Sequence, residues 1–372
     1  MRAARTYLDY NATAPLRAEA RAAMLAALDV FGNPSSVHAE GRRARAIVDE
    51  ARASVAALVN ADPAEVVFTS GATEANTWAL SAPWRMIALA GVEHDSVRAP
   101  AAQLASERGA IAVELPVSGD GAVDVALEGD ARGLLIALQL ANNETGAVQD
   151  VVAAGLMARE HGAELHCDAV QAPGRVAIDF RTLGATTLSL SAHKIGGPKG
   201  VGALVVSGNA PLAPLFSGGG QERRRRAGTE NVAAISGFGA AARAALRDLA
   251  EAGRIAALRD RLEAEVRRLT PEAVIVGDTA ARLPNTSCIA LPGTSAETLV
   301  IKMDLAGIAV SAGAACSSGK VGRSHVLAAM GLADDVASSA IRVSLGPETT
   351  DDDIAAYLAA WKRICGGASL AA

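Results

Sequence analysis

The sequence contains only four cysteines among its 372 residues. Cys167, Cys288, Cys316 and Cys365 are scattered along the chain, and no two of them form a C-x-x-C pair. This spacing argues against a structural zinc site and against a disulfide framework. A special role for any one of these cysteines must therefore come from the reactivity of its thiol.

Long apolar runs are also missing, although 50% of the residues are hydrophobic. Much of this hydrophobicity comes from alanine, which favours helices, and no apolar stretch is long enough to cross a bilayer. The N-terminal sequence MRAARTYLDYNATAP has two early arginines but no apolar segment behind them, so it does not resemble a secretory signal. We therefore expect a cytoplasmic protein that has no membrane partner.

An excess of positive charge is absent as well, because the formal net charge is −5 at pH 7. This balance disfavours direct binding of nucleic acid, and the single basic run, residues 223–226, is too short to change that expectation. At 372 residues the chain is too long for one small core, so two domains are predicted. We place the change of domain inside a long helical region at roughly 232–269.

Short apolar runs alternate with helical or turn segments before that region, and a second set of elements follows it. The alternation predicts an α/β fold with a mostly parallel sheet covered on both faces. The predicted strands of the first set are 85–89, 110–115, 134–138, 164–167, 187–190 and 201–206. The second set comprises strands at 274–276, 287–291, 308–310 and 341–345, with helices at 296–305 and from 351 onward.

Polar side chains follow several of these strands. Ligands of open parallel sheets bind beyond the carboxyl ends of the strands, where such side chains meet. The groups at these ends are Ser70 to Thr73, Glu93 with His94, Asn142 to Glu144, Asp168 with Gln171, and Ser191 with His193 and Lys194.

The stretch SLSAHKIGGPKG, residues 189–200, places Lys194 directly after an apolar strand and before a Gly-Gly-Pro turn. A lysine held there can keep its ammonium partly desolvated, which makes the amine available for imine formation. A surface lysine beside a hairpin turn is the commoner alternative for any single lysine. The other polar groups at the strand ends favour a catalytic role for Lys194.

The segment EVVFTSGATEANTWAL, residues 65–80, reads as a short strand, a tight turn and a helix. The free N–H groups at the start of such a helix form a seat for a phosphate, to which Thr73 can add its hydroxyl. An ordinary helix cap explains this segment equally well.

An imine-forming lysine, a phosphate seat and an acidic residue at a neighbouring strand end together suggest pyridoxal phosphate. Asp168 lies 26 residues before Lys194 and is suited to keep the pyridine nitrogen protonated, so that the ring can absorb carbanion electrons. His94, at another strand end, is placed to stack on the ring and to shuttle protons, although a lone histidine is more often structural.

Nearly the whole chain resembles the cysteine desulfurases of the class V aminotransferase family, in the nitrogen-fixation or iron–sulfur-cluster branch. The resemblance implies a fold type I transferase. Its large domain, 15–257, would contain a mostly parallel sheet of the seven-stranded type. Residues 1–14 and 258–372 would form a smaller α+β domain. The matching motifs are YLDYNATAP at 7–15, FGNPSS at 31–36, FTSGATEAN at 68–76, EH at 93–94, NNETG at 142–146, HCDAVQAPG at 166–174, SAHKIGGPKG at 191–200, RRAGTEN at 225–231, SAGAACSSG at 311–319 and SSAIRVSLG at 338–346.

The resemblance implies a role for each matching residue. Lys194 would hold the cofactor covalently, Asp168 would pair with the pyridinium and Arg342 would bind the substrate carboxylate through a forked contact. A surface ion pair is the alternative for Arg342. The other cofactor-binding residues implied are Ala72, Thr73, His94, Asn143, Gln171, Ser191 and His193, with Thr229 supplied by the partner subunit of a homodimer, and Asn143 also lies at the substrate.

Cys316 is the residue that distinguishes a cysteine desulfurase from related enzymes of the same fold. It lies in AGAACSSGK, within a loop at about 311–323 whose small residues predict mobility. The resemblance makes Cys316 the catalytic thiol, together with Lys194 and His94, and also allows it to act as a transient iron–sulfur ligand; no other metal site is predicted. We interpret Cys167, Cys288 and Cys365 as structural or incidental.

The implied reaction uses free L-cysteine. Lys194 removes the Cα proton, and the Cys316 thiolate attacks the substrate sulfur, which leaves alanine and an enzyme-bound persulfide. A protein acceptor such as an iron–sulfur scaffold would receive the sulfur. Alternatively, the sulfur would be used for tRNA thiolation. Selenocysteine lyase and other fold type I aminotransferases are the nearest alternatives, and an inactive scaffold or sulfur carrier is a more distant one.

Overall fold

A computed structural model describes residues 5–208, 210–313 and 323–365. Its strands are β1 Thr6–Tyr7, β2 Val66–Thr69, β3 Met86–Ala90, β4 Ile111–Leu115, β5 Leu134–Gln139, β6 Glu164–Asp168, β7 Thr187–Ser191, β8 Gly202–Val206, β9 Val274–Val276, β10 Thr286–Ala290, β11 Ile308–Ala309, β12 Ser311–Ala312 and β13 Ala340–Ser344.

Twelve α-helices accompany these strands in the described ranges. They are α1 Ala18–Leu28, α2 Ala39–Leu58, α3 Ala72–Leu80, α4 Asp95–Arg108, α5 Val151–His161, α6 Phe180–Leu183, α7 Val232–Asp248, α8 Ala252–Leu269, α9 Ala296–Leu305, α10 His325–Ala329, α11 Asp334–Ala337 and α12 Asp351–Cys365. Short 3-10 helices cover Ala192–Ile195, Gln221–Arg224 and Leu249–Glu251. None of the helices in these ranges has the length and apolar character that crossing a membrane requires.

The central sheet has seven strands in the order β2-β8-β7-β6-β5-β3-β4. Only β8 runs antiparallel to its neighbours, because the Gly-Gly-Pro turn after Lys194 reverses the chain between β7 and β8. Strands β5, β7 and β8 are buried along their whole length, as strands of a sheet covered on both faces should be. The predicted α/β class with a mostly parallel sheet is confirmed.

A smaller sheet forms from the later part of the chain, in the antiparallel order β12-β13-β10-β9. It packs with α8, α9 and α12 around a hydrophobic cluster that includes the fully buried Tyr357 and Trp361. Strand β1 pairs in parallel with β11, so the N-terminus returns to this part of the molecule. The predicted smaller α+β unit is thereby confirmed, while its residue boundaries stay a prediction.

Two features were not predicted from the sequence. Strands β1 and β12 are two residues long, too short to produce a periodic pattern, and they exist only because distant strands pair with them. The predicted helical region at 232–269 is divided into α7 and α8 by the 3-10 turn Leu249–Glu251.

A buried ion pair fixes β2, the strand that leads into the turn before α3. Arg52, on α2, donates to both carboxylate oxygens of Glu222 at 2.6 and 2.8 Å, and to the carbonyl oxygen of Val66 on β2 at 2.8 Å. Glu222 also accepts the backbone N–H of Phe68 at 3.0 Å. The pair therefore ties α2 and the 3-10 helix at 221–224 to β2.

Replacing Glu222 with alanine should destabilise the protein by about 3–5 kcal/mol, because it leaves the charge of Arg52 buried without its partner. The expected result is a clearly lower thermal midpoint and urea midpoint. Glu50→Ala serves as the control, since Glu50 pairs with Arg243 at the surface and should change little. Equal midpoints for the two variants would contradict this account.

Candidate functional site

A cavity of about 550 Å³ opens beyond the carboxyl ends of the parallel strands. Its volume lies in the range of a small-molecule site. The predicted residues that line it are Ala72, Thr73, His94, Asn143, Asp168, Gln171, Ser191, His193, Lys194 and Arg342. Thr229 is not among the lining residues and lies exposed on the surface of the chain. Cys316, the remaining predicted residue, lies outside the described ranges.

Lys194 sits in the 3-10 helix that follows β7, so its side chain begins at the end of the strand. Its Nζ donates to the carbonyl oxygens of Asn11 at 2.5 Å and Ala12 at 3.1 Å. Arg17 fixes the same 3-10 helix from outside the cavity, because its Nε donates to the carbonyl oxygen of Ile195 at 2.7 Å. Backbone oxygens and a buttressing arginine therefore hold the lysine at the cavity wall.

Asp168, the last residue of β6, is only 7% exposed. One carboxylate oxygen accepts the backbone N–H of Val170 at 3.0 Å, and the other accepts the side-chain amide of Asn76 at 2.8 Å. Because a carboxylate can only accept, the Asn76 nitrogen must face Asp168, and its oxygen then faces Nε2 of His166 at 2.9 Å. Burial lowers the pKa of His166 to about 4, so this histidine is neutral near pH 7 and donates from Nε2.

His94 caps the N-terminus of α4, where its Nδ1 accepts the backbone N–H of Ser96 at 3.0 Å. The hydroxyl of Ser96 lies 2.8 Å from the same nitrogen and accepts the Asn76 amide at 2.8 Å. A neutral His94 therefore carries its proton on Nε2. Ser96 and Asn76 connect His94 to Asp168 by continuous hydrogen bonds.

The start of α3 lines another wall of the cavity. Among the residues that the structure describes, no side chain caps the first turn of this helix, whose N-cap is Gly71, so its N–H groups are suited to an anion. Ser191 and His193 also line the cavity. Burial, followed by the charge of Lys194, lowers the pKa of His193 to about 4, so this ring offers a hydrogen bond and not a positive charge near pH 7.

Gly202 allows the α3 turn to form beside β8. A Cβ at position 202 would lie 2.8 Å from Cα of Gly71 and 2.6 Å from the carbonyl oxygen of Leu190. Any side chain there would displace the turn that presents the N-terminus of α3. The glycine is required by this close approach of two backbones.

Arg342 lies in β13 and is 3% exposed. Its Nη2 donates to Asp9 Oδ1 at 2.8 Å and its Nη1 donates to the carbonyl oxygen of Asn143 at 3.0 Å. Within the described residues, its buried Nε has no hydrogen-bond partner. The guanidinium therefore has an internal ion pair, and Arg342 also lines the cavity. A substrate carboxylate would share the guanidinium with Asp9 or displace it.

The three described cysteines are poor candidates for thiolate chemistry. Cys167 and Cys288 are buried in β6 and β10, and burial raises the pKa of both thiols. Burial also raises the pKa of Cys365, at the end of α12, to about 11. All three thiols are therefore protonated near neutral pH.

Sequence reasoning assigned no role to Asp9, Asn11 or Asn76, although each belongs to a quoted motif. Asp9 and Asn11 lie in YLDYNATAP, and Asn76 is the last residue of FTSGATEAN. The structure shows why they matter, because Asp9 contacts Arg342, Asn11 contacts Lys194 and Asn76 contacts Asp168. Their membership of these motifs was the only signal in the sequence.

Comparison with known proteins identifies the family of the chain. The model of the family described as aminotransferase class-V matches residues 6–357. A cysteine desulfurase of Cereibacter sphaeroides is 44% identical over 361 residues, which cover 94% of this chain and 93% of that protein. Among solved structures, a NifS-like protein superposes with a TM-score of 0.89 at 31% identity, covering 98% of this chain and 100% of that one.

A further solved structure, described as SspA in complex with cysteine, has a TM-score of 0.79 and 29% identity over 93% of this chain and 100% of that one. The family match spans most of the chain, and the relatives match at nearly full length. The chain therefore belongs to the aminotransferase class-V family of pyridoxal phosphate-dependent enzymes and, within it, to the cysteine desulfurases.

Proposed function

We propose that this protein removes the sulfur of free L-cysteine, releases L-alanine and retains the sulfur as a persulfide on Cys316. The observation that carries the proposal is the meeting of Lys194, Asp168 and Arg342 at one cavity of about 550 Å³. An amine, an acidic group and a carboxylate-binding cation are the three groups that amino-acid chemistry of this kind needs. The relative solved with cysteine supports the choice of substrate.

The residues of the cavity fit pyridoxal phosphate. The first turn of α3, with Thr73, Ser191 and His193, offers donors for a phosphate, and Asp168 offers oxygen acceptors for the ring nitrogen. When bound, the cofactor supplies an electron sink for the carbanion formed at the substrate Cα. We assign the covalent link to Lys194 and the remaining contacts to Ala72, His94, Asn143 and Gln171.

Arg342, Lys194 and His94 have separate roles in the proposed reaction. Arg342, which lines the cavity, binds and orients the substrate carboxylate by sharing its guanidinium between the substrate and Asp9. Lys194 removes the Cα proton once its amine is released. We assign to the Nε2–H of His94 a hydrogen bond to a neighbouring group in the cavity, since its Nδ1 accepts the backbone N–H of Ser96.

Sulfur transfer requires a thiolate, and we assign this role to Cys316. Its sulfur attacks the sulfur of the substrate, so an S–S bond forms while the substrate C–S bond breaks. The electron pair of the broken bond stays on carbon, which takes up a proton to give alanine. Atoms and charge balance without an external oxidant, because the carbon that keeps the electron pair is reduced while the transferred sulfur is oxidised from the thiol level to the sulfane level of a persulfide.

The proposal extends to a homodimer in which Thr229 of the partner subunit completes the phosphate site. The exposed position of Thr229, outside the cavity of its own chain, supports this arrangement.

We also propose a cytoplasmic location, where thiols stay reduced, because Cys167, Cys288 and Cys365 are all free of disulfides. The acceptor is a protein thiol or an iron–sulfur scaffold.

Incubation of the wild-type protein with labelled L-cysteine tests the main proposal. One labelled sulfur per chain should appear on the tryptic peptide that contains Cys316, in step with the first equivalent of alanine, and a reducing thiol should remove it. Transamination products in place of alanine would replace the proposal with an aminotransferase. Turnover of selenocysteine alone would replace it with a selenocysteine lyase, and absence of any cofactor signal would indicate a scaffold.

Asp168→Ala should retain the cofactor through Lys194 but slow turnover by orders of magnitude, because the electron sink weakens without an acidic partner. Asn76→Ala should have the same effect to a smaller degree, since Val170 still donates to Asp168. Cofactor content is measured by absorbance and turnover by alanine release. Near-normal turnover of Asp168→Ala with cofactor bound would remove Asp168 from this role.

A further inference from the structure

Glu74 places a carboxylate at the turn before α3, where the N–H groups suited to an anion lie. Its side chain lines the cavity and is 10% exposed. Oε2 accepts the backbone N–H of Ser70 at 2.9 Å, so the carboxylate folds back over the turn and fixes its shape. An acidic residue in the first turn of a helix is ordinary, because it complements the helix dipole. Here, however, its negative charge stands beside groups that the proposed function assigns to a phosphate.

Arg226 offsets this charge. Its Nε donates to Glu74 Oε1 at 3.0 Å and its Nη2 donates to Oε2 at 3.2 Å, which makes the contact a bidentate pair. The guanidinium also lies over the ring of Phe216, 5.5 Å from the ring centre. Burial raises the pKa of Glu74, but hydrogen bonds from Arg226 and Ser70 outweigh burial, so the pKa lies below its ordinary value. Glu74 is therefore ionised near pH 7, and Arg226 neutralises it.

The backbone that carries Arg226 is itself held in place. Glu222, Arg223 and Arg224 have φ angles of 47°, 56° and 66°, a left-handed conformation that is costly for residues other than glycine. The buried ion pair between Glu222 and Arg52 secures the first of these residues. Because tertiary contacts hold the segment in such a conformation, Arg226 approaches the turn before α3 from a fixed direction.

We propose that Glu74 and Arg226 form a positioning pair for the phosphate of the cofactor. Glu74 shapes the turn before α3, and Arg226 removes the repulsion that this carboxylate would otherwise exert on the phosphate. The inference rests on the proposed function, which places the phosphate at this turn. Loss of Arg226 alone should therefore weaken the binding of a phosphorylated ligand much more than the binding of the same ligand without its phosphate.

The test compares the dissociation constants of pyridoxal phosphate and of pyridoxal, which lacks the phosphate. Both are titrated by absorbance into the full-length protein after removal of its cofactor. Arg226→Ala should weaken binding of pyridoxal phosphate roughly tenfold, because the charge of Glu74 is left beside the phosphate, and binding of pyridoxal should change little. Arg226→Lys keeps a positive charge and should recover most of the affinity, although a lysine cannot copy the forked contact.

Glu74→Gln removes the charge of the carboxylate, while its side-chain oxygen can still accept from Ser70. This variant should bind pyridoxal phosphate at least as tightly as the wild type. Its combination with Arg226→Ala should restore most of the affinity that Arg226→Ala loses. Arg243→Ala is the matched control, since it also removes one positive charge and Arg243 pairs with Glu50 at the surface. Both affinities of the control should equal those of the wild type.

Equal weakening of both ligands in Arg226→Ala, or no recovery in the double variant, would show that the pair serves packing alone and would overturn the inference. Circular dichroism checks the fold of each variant. Arg226→Gln, which also lacks the charge, takes the place of Arg226→Ala if the alanine variant does not fold. A wild-type protein that bound pyridoxal phosphate no more tightly than pyridoxal would instead overturn the placement of the phosphate in the proposed function.

Discussion

Replacing Cys316 with alanine is expected to stop sulfur transfer while leaving the earlier steps intact. In the proposed reaction, binding of L-cysteine and removal of its Cα proton use Lys194, Asp168 and Arg342, which line the cavity. The variant should therefore bind cofactor and change its absorbance on mixing with cysteine. It should then stall, because no thiolate is present to take the sulfur.

Alanine release and the mass of the tryptic peptide at Cys316 measure this result. Cys365→Ala is a suitable control, because burial raises the pKa of Cys365 to about 11 and leaves it a poor nucleophile near neutral pH. The control should form the persulfide at the wild-type rate. Alanine release from Cys316→Ala at the wild-type rate, without a persulfide, would make the enzyme a lyase or a transaminase of another kind.

Lys194→Ala should abolish both the covalent link to the cofactor and catalytic turnover. The same amine is assigned to the link and to removal of the Cα proton, and a positioned acid or base alone is worth about 10²–10⁴-fold in rate. The purified variant should lack the absorbance of the link and should not be trapped by borohydride. Alanine production should fall below detection in the assay used for the wild type.

Lys199→Ala is the matched control, since Lys199 lines the same cavity but has no assigned covalent role. It should retain a borohydride-reducible link. A reducible link that persisted in Lys194→Ala would show that another lysine anchors the cofactor. The hydrogen bonds of Lys194 to the carbonyl oxygens of Asn11 and Ala12 would then serve structure alone.

Local sequence patterns predicted the helices and strands whose formation depends mainly on neighbouring residues. The apolar run predicted as a strand at 134–138 forms the buried strand β5, and the predicted helix at 296–305 forms α9, because neighbouring residues determine both patterns. The cavity could be anticipated in the same way. Polar residues that directly follow parallel strands must meet at one edge of the sheet.

Contacts between distant segments were beyond such reasoning. Asp9 pairs with Arg342, and Asn76 pairs with Asp168, although each pair is far apart in the chain. No local pattern specifies which buried donor meets which acceptor. The resemblance placed Arg342 at the substrate, but it gave no sign that Asp9 already holds the guanidinium.

The sequence by itself determined the alternation of strands and helices, the lysine after β7 and the family to which the chain belongs. Only the tertiary structure decided which residues connect Asp168 to His94, namely Asn76 and Ser96, and that Asp9 pairs with Arg342. The reason is physical. Strand and helix formation follow from residues a few positions apart, whereas a buried hydrogen bond is fixed by which atoms the packed chain brings within about 3 Å of each other.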